Sequence, residues 1–141
     1  MNLFVYGSLK RGFSNHHFLT GQVFRGLATT EHEARMVDCG GFPGIVANLS
    51  PPGYRICGEL WEVTPECLQR IDWLEDIDTG LYSRVEWPVV FEASDGARRE
   101  VLAVIYLYHQ SADGLTEVGP YWQIDWDTVR PSLLSECEGQ Q

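Results

Sequence analysis

Two short stretches carry the residues best suited to chemistry. The first, TPECLQRIDWLEDIDTGLYSR from Thr64 to Arg84, sets a carboxylate among apolar neighbours. At about 100° per residue, Cys67, Leu68, Ile71 and Leu74 share one helical face of roughly 120°. Glu75 falls between Ile71 and Leu68 on that wheel, whereas Gln69, Asp72 and Asp76 lie outside it. A carboxylate on an apolar face loses hydration, so its pKa is expected to rise. That is what proton transfer near neutral pH asks of a glutamate. The other reading is that the helix stops one residue early and Glu75 turns to solvent. The second stretch is Gly7-Ser8-Leu9-Lys10-Arg11-Gly12. It suits either a plain turn or a loop whose backbone amides face a ligand. It is neither a Walker loop nor a GxGxxG turn.

The elements around these stretches follow from periodicity and punctuation. Thr64 caps the helix and Pro65 takes its first position, where a missing N–H costs nothing. Asn2–Tyr6 is a nearly continuous apolar run, as expected of a strand buried on both faces. Ser14 and Asn15 cap a short helix through His16, His17, Phe18 and Leu19, on which adjacent histidines point apart. Residues 22–36 alternate like a strand, interrupted at Gly26 and at Glu31-His32-Glu33. Ile45–Ala47 is a short strand between turn-rich loops. Arg55–Val63 is another, with Glu59 between Cys57 and Trp61 on one face; a solvated face is the preferred reading for Glu59. Val85–Phe91 and Val101–Tyr108 form a hairpin through Asp95-Gly96, with Pro88 pushing the first toward a sheet edge. The order predicts a mixed α/β (α+β) unit curled around its own pocket. Residues 1–130 form its single domain and residues 131–141 a flexible tail.

Composition narrows the function. The chain has 141 residues and a formal net charge of −10, with no Lys/Arg stripe for a phosphate backbone. Nucleic acid is therefore not expected as a partner. A small neutral or cationic ligand is easier to admit than a polyanion. No apolar run reaches bilayer length and no basic leader precedes the first strand, which predicts a cytoplasmic protein that does not engage a membrane. The 4 cysteines include no C-x-x-C pair, so free thiols are expected. The 4 histidines are not at ligand spacing, so no metal site is expected. Oligomeric state is not legible.

Leu3-Phe-Val-Tyr-Gly-Ser-Leu-Lys-Arg-Gly12, continued by Asn15 and His16, is similar to the opening strand and Y-G-[ST]-L-K-x-G loop of the γ-glutamylcyclotransferase-like family. Gly41-Phe-Pro-Gly-Ile-Val46, Gly58-Glu-Leu-Trp-Glu-Val63, Ile71-Asp-Trp-Leu-Glu75 and Tyr82-x-Arg84 match in order, and Trp126 resembles the end of the family's terminal G-D-W. The γ-glutamylamine cyclotransferase branch and its bacterial relatives are the nearest likeness. The resemblance implies a small closed or nearly closed β-barrel with flanking helices. It implies a cofactor-independent, metal-free intramolecular aminolysis of a small γ-glutamyl substrate, releasing 5-oxoproline and an amine. On this likeness Glu75 is the general base and acid, and Tyr6, Gly7, Ser8, Leu9 and Tyr82 line the substrate site. Two positions depart from the pattern: Asp76 stands where the family usually has Gly, and Ile124 replaces the Gly of G-D-W. Two alternatives stand beside this reading. One is a non-catalytic binding protein on the same scaffold. The other is a hydrolase using Ser8 with His16 or His17, which lacks a G-x-S-x-G elbow.

Overall fold

The computed structural model describes residues 1–13, 15–39, 42–46, 53–75, 80–108 and 113–122. Its strands are β1 (Asn2–Val5), β2 (Val23–Asp38), β3 (Pro43–Val46), β4 (Tyr54–Glu62), β5 (Tyr82–Glu92), β6 (Arg98–Tyr108) and β7 (Thr116–Glu117). One α-helix, α1 (Pro65–Leu74), separates β4 from β5, and a 3₁₀ turn covers His16–Leu19. The strands close on themselves. β1 pairs with β4, β4 with β2, β2 with β5 and β5 with β6. β6 then returns to β1 through the parallel pair Leu3/Val104. β3 bridges β2 and β6, so the expected barrel takes the form of a ring of strands beside one helix.

β1 explains why the ring and the helix stay together. Alternate side chains of a strand point to opposite faces, and both faces of β1 are covered. Phe4 and Tyr6 join Ile45, Ile56, Leu60, Val89 and Ile105 in one core cluster. Leu3 and Val5 join Cys67, Leu68 and Ile71 of α1 in the other. The near-continuous apolar run is thus shared between ring and helix. The two interruptions read in residues 22–36 are register shifts within one long β2, at Phe24/Gly26 and Thr29/Glu33. Strand bulges of this kind bend a sheet toward closure.

Three expectations need correcting. Pro88 does not leave β5 as a free edge, because β5 pairs with β6 along its length and with β2 at Val89–Phe91. The pairing to β2 begins just past the residue that lacks an N–H. Glu59 is not on a solvated face. It is 5% exposed and accepts bonds from the Arg11 amide at 3.1 Å, Arg11 Nε at 3.0 Å and Trp61 Nε1 at 3.1 Å. Cys57 is disulfide-bonded, whereas Cys39 and Cys67 are free thiols.

The loop after β1 is fastened a second time by Lys10. Its Nζ donates to the Trp122 carbonyl at 2.6 Å and sits 4.7 Å from the Phe13 ring centroid. Burial lowers its pKa from 10.5 to about 8, with the Glu59 carboxylate opposing the shift. Between those two values the unfolded chain holds a proton that the folded chain has released, so this group makes stability rise with pH. The stability gap between wild type and Lys10→Gln, from urea melts at pH 7.5 and pH 10, is therefore expected to shift in favour of wild type at the higher pH. A gap that is flat across that window would sink the assignment.

Candidate active site

A cavity of about 270 Å³ opens where β1 ends. Three elements wall it: the β1 strand and its loop from Phe4 to Leu9 with Asn15, the Phe42-Pro43 turn entering β3, and the end of α1 with Leu81, Tyr82 and Tyr106 from the β5–β6 side. The loop turns because the Lys10 amide bonds back to the Gly7 carbonyl at 3.1 Å. Gly7 is required at the first wall, since a Cβ there would lie 2.7 Å from Pro43 Cγ.

The Thr64 cap forms as the residue types dictate: its side chain accepts from the Cys67 amide at 3.1 Å, with Pro65 at the first helical position. Cys67, Leu68 and Ile71 are buried. The helix stops at Leu74, leaving Glu75 as the C-cap residue with φ −84° and ψ 6° and its amide 2.9 Å from the Ile71 carbonyl. The early stop does occur, yet it does not turn Glu75 to bulk water. Glu75 is half-buried and lines the cavity. Among the described residues it is the cavity's one charged lining group.

Tyr6 and Tyr82 flank it, and both hydroxyls are already committed. Tyr6 donates to the Tyr106 carbonyl at 2.6 Å and Tyr82 to the Pro43 carbonyl at 2.6 Å. Burial first, with the Glu75 charge adding to it, holds both phenols well above the ordinary tyrosine range. Neither is poised to release a proton; the Tyr6 oxygen already accepts the Ile45 amide at 3.4 Å, and both rings serve as walls. Ser8 Oγ accepts a 2.8 Å bond from Asn15 Nδ2, which leaves the Ser8 proton free to be donated. His16 Nδ1 lies 3.0 Å from the Leu9 carbonyl and its ring leans on Trp61, while His17 is exposed. These contacts give Ser8 a side-chain partner with no basicity, which disfavours a serine nucleophile. Among the described residues no cluster of three or more His, Cys, Asp or Glu could hold a metal.

Sequence reasoning thus named residues that the fold brings to one hollow: Tyr6, Gly7, Ser8, Leu9, Glu75 and Tyr82 all line it. It missed Phe4, Val5, Asn15, Phe42, Pro43, Leu74, Leu81 and Tyr106 as lining residues. Asn15 does stand at the cap of the 3₁₀ turn, its carbonyl accepting the Phe18 amide at 3.1 Å, but its side chain makes no capping bond and turns to Ser8 instead. The Phe-Pro pair inside Gly41–Val46 was the available signal for the second wall. Asp76 and Trp126 fall outside the described residues.

Residues 3–127 match the family described as γ-glutamyl cyclotransferase, AIG2-like. The chain belongs to that family. It is 33% identical over 120 residues to a putative γ-glutamylcyclotransferase of Methanocaldococcus jannaschii, covering 84% of this chain and 93% of that protein. It is 34% identical over 101 residues to the γ-glutamylaminecyclotransferase of Bos taurus, covering 67% and 59% of the two chains. A putative γ-glutamylcyclotransferase of Arabidopsis thaliana is 38% identical over 89 residues, but this match spans only 47% of the plant protein. In shape the chain resembles the crystal structure of a mouse AIG2-like protein, with a TM-score of 0.72, 25% identity and 92% coverage of both chains. The AIG2-like ring and helix therefore place the hollow on a scaffold shared with relatives named as cyclotransferases. No helix among the described residues is long and apolar enough to cross a membrane.

Proposed function

We propose that this AIG2-like protein is a γ-glutamyl cyclotransferase that turns a γ-glutamylamine or γ-glutamyl peptide into 5-oxoproline and a free amine, with Glu75 as proton carrier. One observation carries the reading: a cavity of about 270 Å³ with Glu75 as its charged lining group, facing the Gly7–Leu9 bend. A γ-glutamyl head brings an α-carboxylate, an α-ammonium and a γ-amide. The ammonium belongs beside Glu75, where opposite charge favours it. The carboxylate or the γ-carbonyl oxygen belongs at the neutral donors of the bend and the Ser8 hydroxyl, away from Glu75.

The chemistry is balanced within the substrate. At neutral pH the α-amine is mostly protonated (ammonium pKa roughly 7.7–8.0 in peptides), so Glu75 first takes a proton to free its lone pair. The nitrogen then attacks the γ-carbonyl carbon, and charge develops on the carbonyl oxygen, which the donors of the bend can stabilise. Glu75 then gives its proton to the leaving nitrogen and, ionised again, takes the second proton from the attacking nitrogen and passes it to the departing amine. The leaving nitrogen gains what the attacking one loses, so the C–N bond breaks without expelling an amide anion. Tyr6 and Tyr82 hold the folded substrate in place, which supplies the orientation that ring closure needs. The scheme uses no cofactor.

The decisive measurement is 5-oxoproline formation by the purified protein across γ-glutamyl-ε-lysine, other γ-glutamylamines and γ-glutamyl amino acids. Turnover of at least one supports the proposal; binding of 5-oxoproline with no turnover of any would leave a non-catalytic binding protein. Gly7→Ala is a second check. The added Cβ, 2.7 Å from Pro43 Cγ, separates two walls of the hollow. A displacement of that order is expected to cost about 10- to 100-fold in kcat/KM, with a circular-dichroism melt that is lowered by the crowding at Pro43 but still cooperative. Unchanged kinetics would show that the bend does not touch substrate.

A further inference from the structure

The end of α1 carries two carboxylates, Asp72 in its last turn and Glu75 at the C-cap, and no basic residue in that turn. That is an unfavourable arrangement. A helix C-terminus disfavours negative charge, and like charges three residues apart repel. The compensation comes from the adjoining hairpin. Arg84 Nη1 donates to Asp72 Oδ2 at 2.7 Å, and the Tyr106 hydroxyl donates to Asp72 Oδ1 at 2.6 Å. Arg84 and Tyr106 are direct cross-strand partners in the β5–β6 ladder, so the two donors reach the carboxylate from one place. The same Tyr106 accepts the Tyr6 hydroxyl on its carbonyl, and Tyr82 lies two residues before Arg84 on the same face of β5.

An ion pair that is 26% and 41% exposed contributes little to stability. Its location gives it another use: it ties the helix end, one turn before Glu75, to the strands that carry Tyr82 and Tyr106 of the cavity lining. Resting on the reading of Glu75 as proton carrier, we propose that Asp72 is a positioning residue. Clamped by Arg84 and Tyr106, it fixes Glu75 against the substrate hollow, while Arg84 balances the negative charge at the helix end. The charge of Glu75 reaches Tyr6 after β1 and Tyr82 on β5, and Tyr106 on β6 lines the same cavity; Asp72 and Arg84 meet behind Tyr106, and Cys39 lies close to Tyr6 and Tyr82. Asp76 follows in the sequence.

The test reads Glu75 directly. The carboxyl carbon resonance of Glu75, identified by its loss in Glu75→Gln, is titrated in protein labelled with carbon-13 glutamate. Arg84→Gln leaves Asp72 as an unbalanced anion, and the Glu75 midpoint is expected to rise by about half to one pH unit. Asp72→Asn leaves the cation unbalanced, and the midpoint is expected to fall by about as much. Arg84→Lys is expected to restore the wild-type value. A purely structural staple would not move the midpoint in opposite directions. Tyr106→Phe keeps the ring in the wall but drops one bond to Asp72. It and Asp72→Asn are expected to lower kcat about 10- to 100-fold with little change in KM.

Midpoints within error of wild type in both charge variants, or intact kcat in Asp72→Asn and Tyr106→Phe, would overturn the clamp. If Arg84→Gln does not fold, those last two variants carry the test. Full turnover by Glu75→Gln would sink the proton-carrier reading alone, because the titration still decides whether Asp72 and Arg84 set the state of Glu75.

Discussion

Glu75→Gln is expected to lower kcat for 5-oxoproline formation by about 10²- to 10⁴-fold, the usual contribution of a positioned acid or base. Glutamine keeps the volume and the neutral hydrogen-bonding capacity of the side chain, so the walls of the hollow should stand. What disappears is a group that accepts a proton from the ammonium and returns it to the leaving nitrogen. Both functions fall on one residue because the cavity has no second charged group among its described lining residues. Tyr6 and Tyr82 have their protons committed to the Tyr106 and Pro43 carbonyls, so neither is placed to substitute. KM and 5-oxoproline affinity should change far less than kcat. The acidic limb of the wild-type rate profile should vanish in the variant. Initial rates by chromatographic detection of 5-oxoproline, with a thermal melt to certify folding, measure all of this. A variant within about threefold of wild type would remove Glu75 from the mechanism, since general acid–base assistance is worth far more than that.

The largest loss of stability is expected from Glu59→Ala. Glu59 receives the Arg11 amide, Arg11 Nε and Trp61 Nε1, and its own side chain is almost wholly enclosed. The Arg11 side chain is 37% exposed, so water screens the ionic part of the interaction. Most of the cost comes instead from leaving the Trp61 N–H and the Arg11 amide without an acceptor. Together with the small void left behind, this amounts to about 2–4 kcal/mol, or a Tm lower by about 5–15 °C. Glu59→Gln preserves volume and one acceptor oxygen and should recover part of the loss. Calorimetry on the three proteins decides; equal Tm values for wild type and Glu59→Ala would show that the loop holds without this carboxylate. Because Arg11 belongs to the same loop as the Gly7–Leu9 bend that lines the hollow, the alanine variant should also bind substrate more weakly at temperatures where it remains folded.

These two carboxylates show how much the chain reveals before it folds. Helical periodicity, a local property, put Glu75 inside the arc of four apolar residues but left open whether the helix reaches it; α1 stops at Leu74, and the walls of the hollow decide where Glu75 lies. Glu59 sits in an equally regular strand pattern, but alternation gives only two faces and does not say which one is covered. What covers it is the loop at residues 7–12, forty-odd positions away, with Arg11 laid over the Phe24 ring at 3.9 Å. Asp72 fell outside the helical arc, and rightly so, because it faces the β5–β6 hairpin rather than the core. Its partners could not be seen until the hairpin register set Arg84 beside Tyr106.

The order of residues alone determined the capped helix start at Thr64-Pro65, the Asp95-Gly96 hairpin and the interruptions of β2. Each depends on contacts within a few residues, where backbone geometry and side-chain chemistry leave little choice. Only the tertiary structure decided that the strands meet as a ring, that the Asn15 side chain serves Ser8 rather than the cap, and that Phe42, Pro43 and Tyr106 complete the hollow around Glu75. Those depend on pairings between distant segments such as Leu3 with Val104, whose register follows from burying both faces of β1 together.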